Sequence, residues 1–153
     1  MADLQELCDA MSGCTRCPLA KSRLRVVPGE GPSDAQVMLI GEAPGFNEDQ
    51  QGRPFVGASG KFLESLLNSA GFSREEVYIC NVVKCRPPEN RDPAPVEIET
   101  CKPWLDEQVH LVDPKIIVTL GRYSLARYFP KESISRIHGV ARRIDGRLVF
   151  PMY

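Results

Sequence analysis

Cys14 and Cys17 form a C-x2-C pair, and after a gap of 67 residues Cys85 and Cys101 complete the set as C-x15-C. The two-residue bite lets a pair of thiolates chelate one metal ion or take one side of a cluster. No histidine stands near them, because the only two in the chain are His110 and His138. On ligand count alone, four thiolates suit zinc and a cubane iron–sulfur cluster equally. The second C-x2-C that zinc ribbons usually carry is missing. The competing reading makes Cys85 and Cys101 small core residues, as free cysteines often are. The remaining two fit that description well, with Cys8 on a helical apolar stripe and Cys80 in the middle of a strand. Six cysteines behind a start without an apolar export segment argue against a disulfide frame.

A second group of residues lies in "LIGEAPGFNEDQQGRPFVG", Leu39 to Gly57. An apolar strand ends at Gly41, and about a dozen and a half residues follow in which no regular structure is expected. Gly41, Gly45, Gly52 and Gly57 would let backbone N–H groups approach a ligand closely. Glu42 sits on the first turn past the strand. Phe55 offers either a plug for the core or an aromatic face for a planar ligand. Asn81 is an amide inside the otherwise apolar "VYICNVV". A buried amide needs partners, and near a strand's carboxyl end a ligand is one candidate, a satisfied core amide the other. A carboxylate, a ring and an amide together suit a flat heterocycle.

These residues need elements to position them. "LQELCDAM" has a helical stripe that stops at Ser12-Gly13, and "AQVMLIG" reads as a buried strand. "GKFLESLLNSAGF" reads as a helix ending at Gly71. "VYICNVV" is a second buried strand, and Pro95 to about Val112 a helix with Pro103 as a local irregularity. "KIIVTLG" is a third strand, "RYSLARYF" a short helix, and "RLVFPMY" a fourth strand. Alternating strands and helices predict an α/β fold, a three-layer α/β/α sandwich around a central four-stranded, mostly parallel sheet. In such sheets ligands bind beyond the carboxyl ends of the strands, where the loops from Gly41, Asn81 and Gly121 begin.

With 153 residues and 42% hydrophobic content, the chain has enough apolar material for one domain. No apolar run reaches the length of a membrane span, so a cytoplasmic protein is expected. The net charge of −1 gives no whole-molecule pull toward nucleic acid. Local basic patches remain: Lys21, Arg23 and Arg25; Lys84, Arg86 and Arg91; Arg142, Arg143 and Arg147. They read either as solvated surface or as a grip on phosphates, with Glu97, Glu99, Asp106 and Glu107 on a far helix.

"GEAPG" closing a strand, "GRPFVGASGKFL", "YICNVVKCRPPENRDP" and the four-cysteine spacing resemble the family 4 uracil-DNA glycosylases, the iron–sulfur type. The likeness runs over essentially the whole chain. It implies a 4Fe–4S cluster held by Cys14, Cys17, Cys85 and Cys101, with a structural role. It also implies that uracil lies between the backbone of Glu42-Ala43 and the ring of Phe55, with Asn81 reading its edge. Uracil presents an O4 acceptor and an N3–H donor that one fixed amide meets, whereas cytosine mismatches both contacts. Gly45 occupies the place where other glycosylase families carry a tyrosine against the thymine methyl.

The function so implied is a monofunctional glycosylase that flips uracil out of DNA and hydrolyses its N-glycosidic bond to begin base excision repair. Glu42 is the expected catalytic residue, positioning water or offsetting positive charge on the sugar. The expected partner is uracil-containing DNA, single- or double-stranded, with the protein acting as a monomer away from membranes. The family's His-Pro-Ala or His-Pro-Ser motif would follow the fourth strand, where this sequence reaches Tyr153. Residues 1–153 are therefore read as one domain, cut short at its C-terminal end. A catalytically silent, cluster-bearing nucleic-acid-binding module is the alternative.

Overall fold

The computed structural model describes residues 3–152. Five strands, β1 (Val37–Gly41), β2 (Tyr78–Asn81), β3 (Ile116–Leu120), β4 (Arg142–Ile144) and β5 (Arg147–Met152), form one sheet in the order β2-β1-β3-β5-β4. β1 pairs in parallel with β2 and β3, and β3 with β5. Only β4 runs antiparallel, as a hairpin on β5. The sheet therefore has the expected class but one strand more than the four expected. β4 is three residues long with two exposed arginines, so it carries no apolar signature. The last residue of the expected strand "RLVFPMY", Tyr153, lies outside the described residues.

Among the described residues six α-helices accompany the strands: α1 (Leu4–Ser12), α2 (Phe46–Gln51), α3 (Ala58–Ser69), α4 (Pro95–Val112), α5 (Arg122–Tyr128) and α6 (Ile134–Ile137). The bounds of α4 are those read from the sequence, opened by Pro95 at the first helical position and running through Pro103. Side chains alternate across the strands, and so they divide between two cores. Met38, Ile40, Tyr78, Cys80, Ile117 and Val149 pack with Leu105 and Val109 of α4. Val37, Leu39, Val77 and Ile79 face the other way, onto Leu63 and Leu67 of α3. Helices thus cover both faces, and all of β1 and β2 is buried.

Burying a parallel sheet on both faces leaves its strand ends as the open places. The register sets Gly41 at the end of β1 directly beside Asn81 at the end of β2. β3 lies on the other side of β1 and delivers Leu120 and Gly121 to the same end. The stretch after Gly41 is not wholly irregular as expected. Phe46–Gln51 forms the short helix α2, closed by Gly52 in the left-handed conformation. Its sequence FNEDQQ has no apolar period, so nothing in the pattern announced it.

Candidate functional site

A cavity of about 660 Å³ opens beyond the carboxyl ends of β1, β2 and β3, within the range of about 300–1,000 Å³ usual for small-molecule sites. Glu42, Ala43, Phe55 and Asn81 all line it, so the four residues singled out in the sequence are brought together. A Cβ on Gly41 would stand 2.5 Å from both Asn81 Oδ1 and the Phe55 ring. Only glycine lets the ring and the amide converge at the end of β1.

Asn81 is buried, and among the described residues its side-chain amide has no hydrogen-bond partner within the chain. The amide faces the cavity and so is open to solvent or a ligand, whereas the sealed side-chain atoms left unpaired among the described residues are Gln108 Oε1 and Thr119 Oγ1. The Asn81 backbone is held firmly, because the carbonyl accepts a 2.6 Å bond from Lys84 Nζ. Gly41 and Glu42 are tied to the same stretch, their carbonyls accepting from the N–H groups of Val82 and Val83.

Glu42 is half-buried. Burial first, and then the nearby Asp92 carboxylate, push its pKa above the ordinary range, against the opposing pull of Arg122. Asp92 is itself paired with Arg122 at 2.5 Å.

Phe55 has φ of 51°, a left-handed conformation rare for an aromatic residue. The loop that carries it is fixed from α2. One oxygen of Glu48 accepts from Gly45 N–H at 2.9 Å, the other from Val56 and Gly57 N–H at 3.0 and 2.9 Å. The N–H groups of Gly45 and Gly57, expected to face a ligand, are thus taken by Glu48. Glu48 was not legible as a site residue, because its partners are backbone groups that no side-chain pattern records.

The four cysteines of the spacing motif also come together. Cys14, Cys17, Cys85 and Cys101 line a second, small cavity with Met11, Arg23 and Trp104. Cys14 Sγ accepts from Trp104 Nε1 at 3.3 Å, Cys101 Sγ from the Lys84 backbone N–H at 3.3 Å, and Cys85 Sγ from Arg23 Nη1 at 3.4 Å. Burial pushes the Cys85 thiol up to about 11, opposed by the Arg23 guanidinium, and raises Cys101 as well. Cys8 and Cys80 stand apart from this cavity: Cys80 is fully buried on β2 and Cys8 faces the Tyr78 hydroxyl. Among the described residues no three histidine, cysteine or acidic side chains converge closely enough to hold a single metal ion.

Several charged residues differ from their surface reading. Lys84 is buried at 1% exposure. Glu97 is buried at the head of α4, where both its oxygens take Arg91 at 2.8 and 2.7 Å and one also accepts from Ala94 N–H. Arg147 is paired with Asp113. Arg86, by contrast, lies over the ring of Phe46 at the cavity mouth, 5.4 Å from its centroid. His110 and His138 line neither cavity.

No helix among the described residues is long and apolar enough to cross a membrane. The profile of the uracil DNA glycosylase superfamily matches residues 28–153. A type-4 uracil-DNA glycosylase of Saccharolobus solfataricus is 48% identical over 163 aligned residues, covering 100% of this chain and 76% of that protein. The type-4 enzyme of Archaeoglobus fulgidus is 43% identical, covering 95% of this chain and 75% of its own length. That of Thermotoga maritima is 46% identical, covering 92% and 74%.

Proposed function

The chain belongs to the uracil DNA glycosylase superfamily, among the type-4 enzymes, and from that premise we propose that it excises uracil from DNA by hydrolysing the N-glycosidic bond. The observation that carries the proposal is the unpartnered Asn81 amide beside the Phe55 ring in a cavity that also holds Glu42.

The base must leave the helical stack to reach this cavity. Once there, its face lies on Phe55 and its edge meets Asn81, whose amide N–H donates to O4 and whose oxygen accepts from N3–H. Lys84 and the end of β2 fix the backbone from which the amide reaches the base. Water then adds at the sugar C1′ as the C1′–N1 bond breaks. The bonding pair leaves with uracil, which takes a proton, and an abasic sugar remains. Glu42 acts as a carboxylate against the developing positive charge and orients the water. The half-burial that raises its pKa also limits solvent screening of the carboxylate once it is ionised.

Cys14, Cys17, Cys85 and Cys101 are the residues that would hold a 4Fe–4S cluster. Two features support this assignment. The four thiols line one common cavity, and four thiolates are the ligand set that a cluster of this kind takes. Three of the sulfurs already accept N–H bonds, as cluster thiolates commonly do. A bound cluster would supply cross-links between the N-terminal segment, the Cys85 loop and α4, and no chemistry at the sugar.

The test uses matched oligonucleotides carrying a single uracil, thymine or cytosine, single-stranded and in duplex, followed by alkaline cleavage of abasic sites. Cleavage at uracil alone is the expected result. No abasic site from uracil in either form would overturn the proposal.

A further inference from the structure

Arg74 stands 19 residues from Phe55, on the 3₁₀ turn Arg74–Glu76 before β2, and its side chain is only 9% exposed. Its Nη1 donates to the Phe55 carbonyl at 2.6 Å, and Nη2 donates to the carbonyl of Pro54. Glu30 orients the guanidinium, with Oε2 accepting from Nε and Nη2 at 3.3 and 3.2 Å, and Arg53 holds Glu30 in turn.

Phe55 adopts φ of 51°. A bulky residue stays in that region only where its surroundings over-determine it. Here they do so from three sides. Arg74 takes the two carbonyls at 54 and 55, Glu48 takes the N–H groups at 56 and 57, and Gly60 closes on the chain from below. A Cβ on Gly60 would stand 1.8 Å from the Phe55 oxygen, so α3 can pack there only because the residue is glycine.

We propose that Arg74 is a positioning residue for uracil recognition: it clamps the backbone of Phe55 in its left-handed conformation and so aims the ring across the pocket at the Asn81 amide. The clamp rests on the reading of the cavity as a uracil site. Arg74 lines neither of the two cavities. Without it, the loop relaxes toward ordinary backbone angles and the ring loses its fixed place, while Glu48 keeps the following turn attached.

The decisive experiment is a double-mutant cycle on the protein carrying 4-fluorophenylalanine, with wild type, R74M, F55A and the two combined. Single-turnover uracil release from a single-stranded oligonucleotide and the fluorine spectrum are both recorded. R74M should slow release about tenfold in the wild-type background and by less than about twofold once Phe55 is alanine, because the ring is the only route by which Arg74 acts. Equal losses in both backgrounds would overturn the clamp.

R74K serves where R74M fails to fold, since lysine keeps the charge but cannot span both carbonyls. The Phe55 resonance, identified by its disappearance in F55A, should shift or broaden in R74K with the other fluorines unmoved. An unmoved Phe55 line would overturn the proposal. Should the wild-type protein release no uracil, the functional reading fails by itself, and the fluorine spectrum still decides the clamp.

Discussion

Along the chain after β2, Asn81 lines the cavity beyond the strand ends and Val83, Lys84 and Cys85 line the cysteine cavity, so only Val82 lies between them, yet the two cavities are built in opposite ways. The first leaves polar groups open. Among the described residues the Asn81 amide is in no hydrogen bond, and Glu42, which takes the Arg122 backbone N–H, is held above its ordinary pKa by burial and by Asp92. The second supplies donors in advance, with Trp104, Arg23 and the Lys84 backbone each directed at a sulfur. A site for a passing ligand keeps its hydrogen-bonding capacity unspent, whereas a site for a resident group is provided with its supporting bonds by the fold. Lys84 joins the two, its ammonium on Asn81 and its backbone N–H on Cys101.

The sharpest break between the regions comes from the thiolates. Cys85→Ser should abolish absorption at about 400 nm and cost several kcal/mol of stability, since cluster binding and folding are coupled. Cys8→Ser and Cys80→Ala should keep both colour and iron content. Equal iron and acid-labile sulfide in Cys85→Ser and wild type would remove the cage assignment.

A smaller effect is expected from the link. Lys84→Met removes the donor to the Asn81 carbonyl but keeps the backbone N–H to Cys101. Uracil release should fall by one to two orders of magnitude, from about 1.5–3 kcal/mol for a charged hydrogen bond, with the cluster absorption unchanged. Loss of colour in this variant would mean the ammonium serves the cage instead. Phe55→Ala should slow release by about tenfold to a hundredfold, through the lost stacking face alone. That loss should be seen without a change in preference among pyrimidines.

The smallest effect concerns pH. Glu42 is needed ionised and its pKa is raised, so activity should climb with pH through a limb above the ordinary carboxylate range. Asp92→Asn removes one cause of that rise and should move the limb to lower pH. The same shift fixes the sign for stability. A folded pKa above the unfolded one favours folding at low pH, and that advantage is lost as pH rises through the folded value. Glu42→Gln should therefore melt slightly higher than wild type at pH 7 while losing most activity. A lower melting temperature would contradict the burial of this carboxylate.

Much of this arrangement was legible in the residues themselves. The strands showed as apolar runs, α4 as a proline-opened period, and the cysteine cage and the four pocket residues as side-chain types at telling positions. What escaped shares one physical cause. Glu48 and Arg74 work through backbone N–H and C=O groups, which every residue carries and no pattern marks. Lys84, Glu97 and Arg91 carry charge, and a charge reads as surface until the partner that allows its burial or pairing is known. β4 and α2 are too short and too polar for a periodic signal.

The central claim is that the open Asn81 amide reads uracil. Asn81→Asp keeps the volume but replaces the N–H donor to O4 with an oxygen. Single-turnover release should be measured on matched oligonucleotides carrying uracil or cytosine, beside the wild-type chain. Uracil release should fall by two orders of magnitude or more, from about 3 kcal/mol of lost and now repulsive contact, and trace release of cytosine should appear. Full uracil activity in Asn81→Asp would show that the amide is an ordinary core residue and that recognition lies elsewhere.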